Sequence, residues 1–273
     1  MDFFDALLTQ SFLQYAMLAG LLASVGCGVM GTYVVVKRVN FLVGGIAHSV
    51  LGGMGVAYFF GNNPMYGALI SAVIAALVIG WVKLRWQEDE DIVIAALWSV
   101  GMAIGILFIT KSPGYNVDLM SYLFGNILMV SDHELMLMFF LNVIMVAIVF
   151  LFFRQFLAVC FDEEFARLRG INVEFFYLLL LCMVALTVVL LIQVVGLILV
   201  IALLTLPAAI AARFRHSLKQ IMLMAVLLGA VFSLLGLVVS YQLDLPSGAT
   251  IILIAGVVYL VLAFGSRIKY AKT

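Results

Sequence analysis

Along the 273 residues, long apolar runs alternate with short polar or charged breaks. About 20 consecutive apolar residues are needed for a helix to cross the roughly 30 Å hydrocarbon layer of a bilayer. Cutting the chain at its polar breaks yields nine such runs: 12–36, 41–60, 65–84, 92–110, 134–153, 174–194, 197–212, 219–243 and 247–265. The seventh is short, so eight and nine crossings both remain open.

The stretch 116–133 departs from this pattern. A full crossing there would carry Arg154 and the charged residues after it to the outer side, and the apolar core, 119–130, spans only twelve residues. The pattern predicts a short helix over 118–128 that dips into the outer leaflet and returns at Gly125 or beyond. Such backbone persists at membrane depth only where it packs on protein or lines a water-filled cavity. Placing the loop after the first run in the cytoplasm leaves every Lys and Arg inside except Lys111. That agrees with the bias of basic residues toward the cytoplasmic side and predicts an external N-terminus and a cytoplasmic C-terminus.

Composition strengthens the membrane reading: 66% of the residues are hydrophobic and 10% charged, against about 45–50% and 25% in soluble domains. The 14 basic residues balance the 14 acidic ones, so no net field would hold a nucleic acid. A soluble enzyme and a disordered chain are excluded as well. Cys27, Cys160 and Cys182 lie far apart in apolar surroundings and form neither a disulfide framework nor a C-x-x-C site. Residues 1–10 carry Asp2 and Asp5 and no basic residue, so the chain is expected to start near Met1 without a cleavable leader.

Of the three histidines, only His48 falls within a run. Gly44, His48 and Gly52 share one helix face at a spacing of four, with Gly45 and Gly55 close to it, so the imidazole projects from a face otherwise bare of side chains. Two readings stay open. Neutral imidazole is a common ligand for transition metals, and intramembrane polar groups face a cavity or the bundle interior; alternatively the glycines permit close helix packing and His48 bonds a carbonyl. Gly20, Ser24 and Gly28, and Gly101 and Gly105, are read as helix contacts only. Pro207 frees the Leu203 carbonyl and is expected to kink or break its helix, which makes it a candidate for lining a pathway.

The cytoplasmic stretch 162–170 predicts one short helix lying parallel to the membrane. Asp162 suits the N-cap, Glu163 and Glu164 the first turn, Arg167 and Arg169 the last, and Gly170 the residue after the cap. Phe165 and Leu168 form an apolar edge that fits a partner's groove or rests on lipid. The chain has no G-x-x-x-x-G-K-[ST] loop, no H-E-x-x-H, no G-x-S-x-G and no pair of acids within a run. Uphill transport would therefore draw its energy from another subunit.

The order of these features resembles the membrane subunit of prokaryotic ATP-binding-cassette importers for zinc, manganese or iron. The resemblance rests on Lys37-Arg38, Phe41-Leu42 and Ala47-His48-Ser49-Val50-Leu51; on 117–128; on 162–170; on Leu204-Thr205-Leu206-Pro207-Ala208-Ala209 with Arg213; and on Leu245-Pro246-Ser247-Gly248. From Leu123 onwards the chain is more distantly similar to vitamin B12 and iron-siderophore permeases. The resemblance implies an all-α polytopic bundle of eight or nine spans, with residues 1–273 forming a single permease domain. The segment 116–133 would dip from the outer side, and 162–170 would be the coupling helix seated on the ATPase.

It further implies a homodimer in the cytoplasmic membrane, two ATPase subunits that bind the ATP, and an extracytoplasmic solute-binding protein. The chain itself would hold no cofactor, a divalent metal ion being its substrate. His48 becomes the pathway residue nearest the outer gate, with Gly44, Gly52, Asp118 and Pro207 lining the route. One position departs from the pattern: relatives usually carry an aspartate four residues before this histidine, where this chain has Gly44. Met30, Met54, Asp118 or a histidine of the second protomer are the candidates to compensate. A siderophore or cobalamin importer, and a self-sufficient channel or secondary carrier, are the alternative functions.

Overall fold

The computed structural model of the chain describes residue 7 and residues 9–86, 90–112, 125 and 127–270. Among them the structure is helical: α1 (Ser11–Lys37), α2 (Asn40–Phe59), α3 (Pro64–Trp86), α4 (Glu90–Lys111), α5 (Asp132–Leu151), α6 (Phe153–Phe161), α7 (Glu163–Leu168), α8 (Val173–Val195), α9 (Leu197–Phe214), α10 (Leu218–Leu243) and α11 (Ser247–Tyr270), with a 3₁₀ turn at Ile127–Met129. All but α6 and α7 are long and apolar enough to cross a membrane, nine helices among the described residues. The short seventh run is therefore a helix of its own. Gly196 parts it from α8 at φ +79° and ψ 161°, a conformation that residues with a Cβ rarely adopt.

Several helices start before their apolar runs because polar residues cap them. Asn63 Oδ1 accepts from Met65 N at 2.9 Å, with Pro64 in the first helical position, where its missing N–H costs nothing. Ser131 and Glu134 form a reciprocal capping box: Ser131 N donates to Glu134 Oε2 at 2.8 Å, and Glu134 N donates to Ser131 Oγ at 3.3 Å. Asn172 Oδ1 accepts from Phe175 N at 3.0 Å to start α8.

The chain divides into two compact units. The first comprises Met1–Val36, Met120–Val146 and Gln193–Thr273. Here α1 offers small residues to α9 and α10: a Cβ on Gly28 would lie 2.6 Å from Val226 N, and one on Gly31 only 1.9 Å from Leu204 O. Ser24 Oγ donates to Gly20 O at 2.6 Å and meets Ser233 Oγ at 3.4 Å. With no hydrophobic driving force between helices in lipid, such backbone contact and small polar bridges hold them together. Pro207 is buried, and α9 continues through it, so of a kink or a break the break does not occur.

Of the segment 116–133, only Gly125 and residues 127–133 are described. The helix expected over 118–128 lies for the most part outside the described residues. Gly125 has φ +63°, and a Cβ on it would lie 2.2 Å from Gly196 N. Only glycine can turn the chain so close to the backbone at the α8–α9 break.

The second unit comprises Lys37–Leu119 and Ala147–Ile192. At its centre α2 lies between α3 and α4. A Cβ on Gly52 would lie 2.6 Å from Gly101 O, on Gly55 2.7 Å from Gly105 O, and on Gly53 2.2 Å from Gly67 O. Gly101 and Gly105 thus serve as helix contacts, as their spacing suggested. Between α5 and α7 runs α6, which follows the fifth apolar run. Its buried Phe156 and Val159 stand three residues apart, a one-sided pattern that the sequence carries but that is too short to span a bilayer.

Candidate functional site

His48 lies in the middle of α2, 8% exposed. Its Nδ1 is 2.8 Å from Gly44 O. A carbonyl oxygen can only accept, so Nδ1 carries the hydrogen and Nε2 keeps the lone pair of the neutral ring. This is the arrangement that orients metal-binding imidazoles, the second nitrogen being pinned by a backbone carbonyl. One ring face stacks on Trp98 of α4, with centroids 4.1 Å apart and planes inclined by 26°. The glycine at 44 is required by that stack. A Cβ there would sit 2.7 Å from Trp98 Cζ3, so the indole fills the space into which any side chain at position 44 would project.

The next residue, Ser49, donates to Gly45 O at 2.8 Å and borders a cavity of about 690 Å³ between α2, α3 and α4. Gly52, Gly53, Gly67 and Gly101 line it together with Asn62, Tyr66 and Ser71. Of the expected lining residues only Gly52 reaches this cavity. Gly44 is closed off by Trp98, Pro207 belongs to the other unit, and Asp118 lies outside the described residues. No group of three or more His, Cys, Asp or Glu that could hold a metal ion occurs among the described residues. Met30 and Met54 are both buried.

The short helix forms as its caps dictate. Asp162, extended at φ −151° and ψ 98°, accepts from Phe165 N at 2.9 Å. At the other end Gly170 N bonds Arg167 O at 3.0 Å and Ile171 N bonds Ala166 O at 3.0 Å, with Gly170 at φ +74°: the Schellman closure that favours glycine at this place. Ala166 is buried and anchors the helix. Phe165 and Leu168 are 47% and 88% exposed, and the Arg169 guanidinium lies over the Phe165 ring at 4.9 Å. An apolar edge flanked by cations is thereby presented outward.

Glu163 does more than complement the helix dipole, since it pairs with Lys37. Beside the pair, burial pushes the Cys160 thiol up to about 11, with the Lys37 ammonium acting in the opposite sense. This cysteine stays a protonated thiol at neutral pH. Trp98 and Lys37 were not among the candidates drawn from sequence. Their partners lie 50 and 126 residues away, and no local pattern links them.

Comparison with known proteins gives a family and close relatives. The family model described as the ABC 3 transport family matches residues 9–266. A probable metal transport system membrane protein of Chlamydia pneumoniae is 45% identical over 248 residues, covering 89% of this chain and 85% of that protein. The manganese transport system membrane protein MntC of Halalkalibacterium halodurans is 35% identical over 264 residues, covering 97% and 90%. Among solved structures, PsaBC from Streptococcus pneumoniae in complex with Fab superposes with a TM-score of 0.85 at 30% identity, over 95% of this chain and 93% of that one.

Proposed function

The chain belongs to the ABC 3 transport family, and from that premise we propose that it is the permease subunit of an ATP-binding-cassette importer that carries a divalent transition metal across the cytoplasmic membrane. Relatives named for metal and manganese transport over most of their length support this cargo class. The observation that carries the reading is His48: a buried intramembrane imidazole, Nδ1 pinned to Gly44 O, with the Nε2 lone pair left free. Intramembrane groups of this kind mark ion pathways, and a single imidazole holds an ion weakly enough to release it.

In this reading residues 1–273 act as one permease domain, and two copies pair around the route. An extracytoplasmic binding protein delivers the ion, and the ion passes His48. Two ATPase subunits seat on 162–170 through Phe165 and Leu168, and all ATP chemistry is theirs. An odd number of crossings sets the termini on opposite sides, and the basic residues favour the N-terminus outside. Gly52, Asp118 and Pro207 remain proposed lining residues, and 116–133 a proposed outer dipping segment. With no carboxylate at position 44, Met30, Met54, Asp118 or a histidine of the second protomer would compensate as a further ligand.

The test is uptake of Mn²⁺ or Zn²⁺ into proteoliposomes containing the chain, its ATPase and its binding protein. Uptake should require ATP, and His48→Ala should lower it at least about tenfold, as loss of an ion ligand does, while the complex still assembles. Uptake by the chain alone would favour a self-sufficient channel. Unchanged uptake by His48→Ala would remove the imidazole from the route.

A further inference from the structure

Lys37 ends α1 and is the first residue of the second unit, to which every group named below also belongs. Although it bears a charge, its side chain is only 10% exposed. The ammonium is held from several sides. Nζ pairs with the Glu163 carboxylate in the first turn of α7 and donates to Val159 O in the last turn of α6 at 2.8 Å. It also faces the ring of Tyr177 in α8, whose centroid is 5.8 Å away.

The Val159 carbonyl is one of the last four of α6, which an α-helix leaves without intrahelical donors. The chain turns at the extended Asp162, whose own N–H goes to Ala158 O, and Lys37 satisfies the next carbonyl instead. One ammonium therefore spans the joint between α6 and α7. It bonds the end of one helix and the start of the other while belonging covalently to the α1–α2 corner. That corner is itself bent through Arg38 at φ +61°, a conformation non-glycine residues seldom hold without surrounding support. Besides the buried Ala166, it is this clamp that ties α7 to the α1–α2 corner across the extended Asp162 joint.

We propose that Lys37 is the positioning residue that makes α7 and the α1–α2 corner move as one piece, so that displacement of α7 by the ATPase reaches the transmembrane helices. The proposal rests on the reading of 162–170 as the coupling helix and adds to it the connection above that helix. It follows that losing the clamp should spare docking, which uses the exposed Phe165 and Leu168, and should spoil transmission.

The experiment compares metal imported with ATP hydrolysed in proteoliposomes containing the complete complex, with Mn²⁺ as the probe. Lys37→Met should co-purify with the ATPase at the wild-type level and continue to hydrolyse ATP. Imported ions per ATP should fall at least about tenfold, the scale on which truncating one partner of a buried charge pair is felt. Lys37→Arg keeps both donors and should hold the ratio within about twofold of wild type. Glu163→Gln should fall between them, and adding it to Lys37→Met should cost nothing more, since the Lys37–Glu163 pair is already gone in Lys37→Met.

A Lys37→Met complex with an unchanged ratio overturns the proposal. So does a loss of import accounted for entirely by less assembled complex. Should Lys37→Met fail to assemble, Glu163→Gln decides by the same ratio. A wild-type complex that imports nothing on ATP would overturn the transport reading and this proposal with it. Wild-type coupling with an insensitive Lys37 would overturn the proposal alone.

Discussion

Gly44→Ala adds one methyl group where the indole of Trp98 already stands. The new Cβ would lie 2.7, 3.2 and 3.4 Å from Trp98 Cζ3, Cη2 and Cε3, whereas carbon atoms rest about 3.5–4.0 Å apart. The ring must therefore retreat by about 1 Å. Overpacking of this kind costs about 1–3 kcal/mol, and pulling the indole from His48 forfeits about 0.5–1.5 kcal/mol of stacking. Against this, alanine in a helix interior gains up to about 1 kcal/mol over glycine. The clash wins, for a net loss of about 1–3 kcal/mol.

The measurement is a double-mutant cycle of thermal unfolding of the detergent-solubilised protein with Gly44→Ala, Trp98→Leu and both. Gly44→Ala should lower the melting temperature in the wild-type background and leave it level or higher in the Trp98→Leu background. The coupling should be at least about 1 kcal/mol, as for residues in direct contact. An equal effect of Gly44→Ala in both backgrounds would refute the claim that the indole and a side chain at 44 compete for one volume.

Phe165→Asp leaves the Asp162 cap and the Gly170 closure untouched, so α7 should still form. Co-purification of the ATPase should nonetheless drop at least about tenfold, as for a central interface aromatic, and full retention with normal uptake would remove Phe165 from the docking edge. For orientation, the three native cysteines are replaced by alanine and single cysteines introduced at the exposed Asn62 and Gln220. An impermeant thiol reagent should label position 62 in intact cells and position 220 only after permeabilisation, and the reverse result would invert the topology.

The crossings were legible from the sequence because a helix in lipid must satisfy every backbone group within itself and show apolar side chains to its surroundings. Both demands are local, and each run accordingly became a helix. Caps are local too, which is why 162–170 could be drawn residue by residue from Asp162 to Gly170. At Gly125 the pattern places the return of the outer segment, but that this glycine comes up against Gly196, 71 residues on, is decided by tertiary packing. The nine residues of α6 are too few to cross a bilayer, so its pattern carries no membrane signal.

Apolar order along the chain was enough to place the membrane helices approximately, with eight or nine crossings left open, and the spacing of small residues and caps pointed to the helix contacts and the outward edge of α7. It did not reveal that Trp98 stacks on His48, that Gly44 exists to admit the indole, or that Lys37 holds Glu163 and Val159. Helices that are apolar all round advertise no preferred face, so hydrophobicity is silent on their rotation and neighbours. Those are settled by close packing and by the few polar groups that must find partners across the bundle, and both depend on residues far apart in the chain.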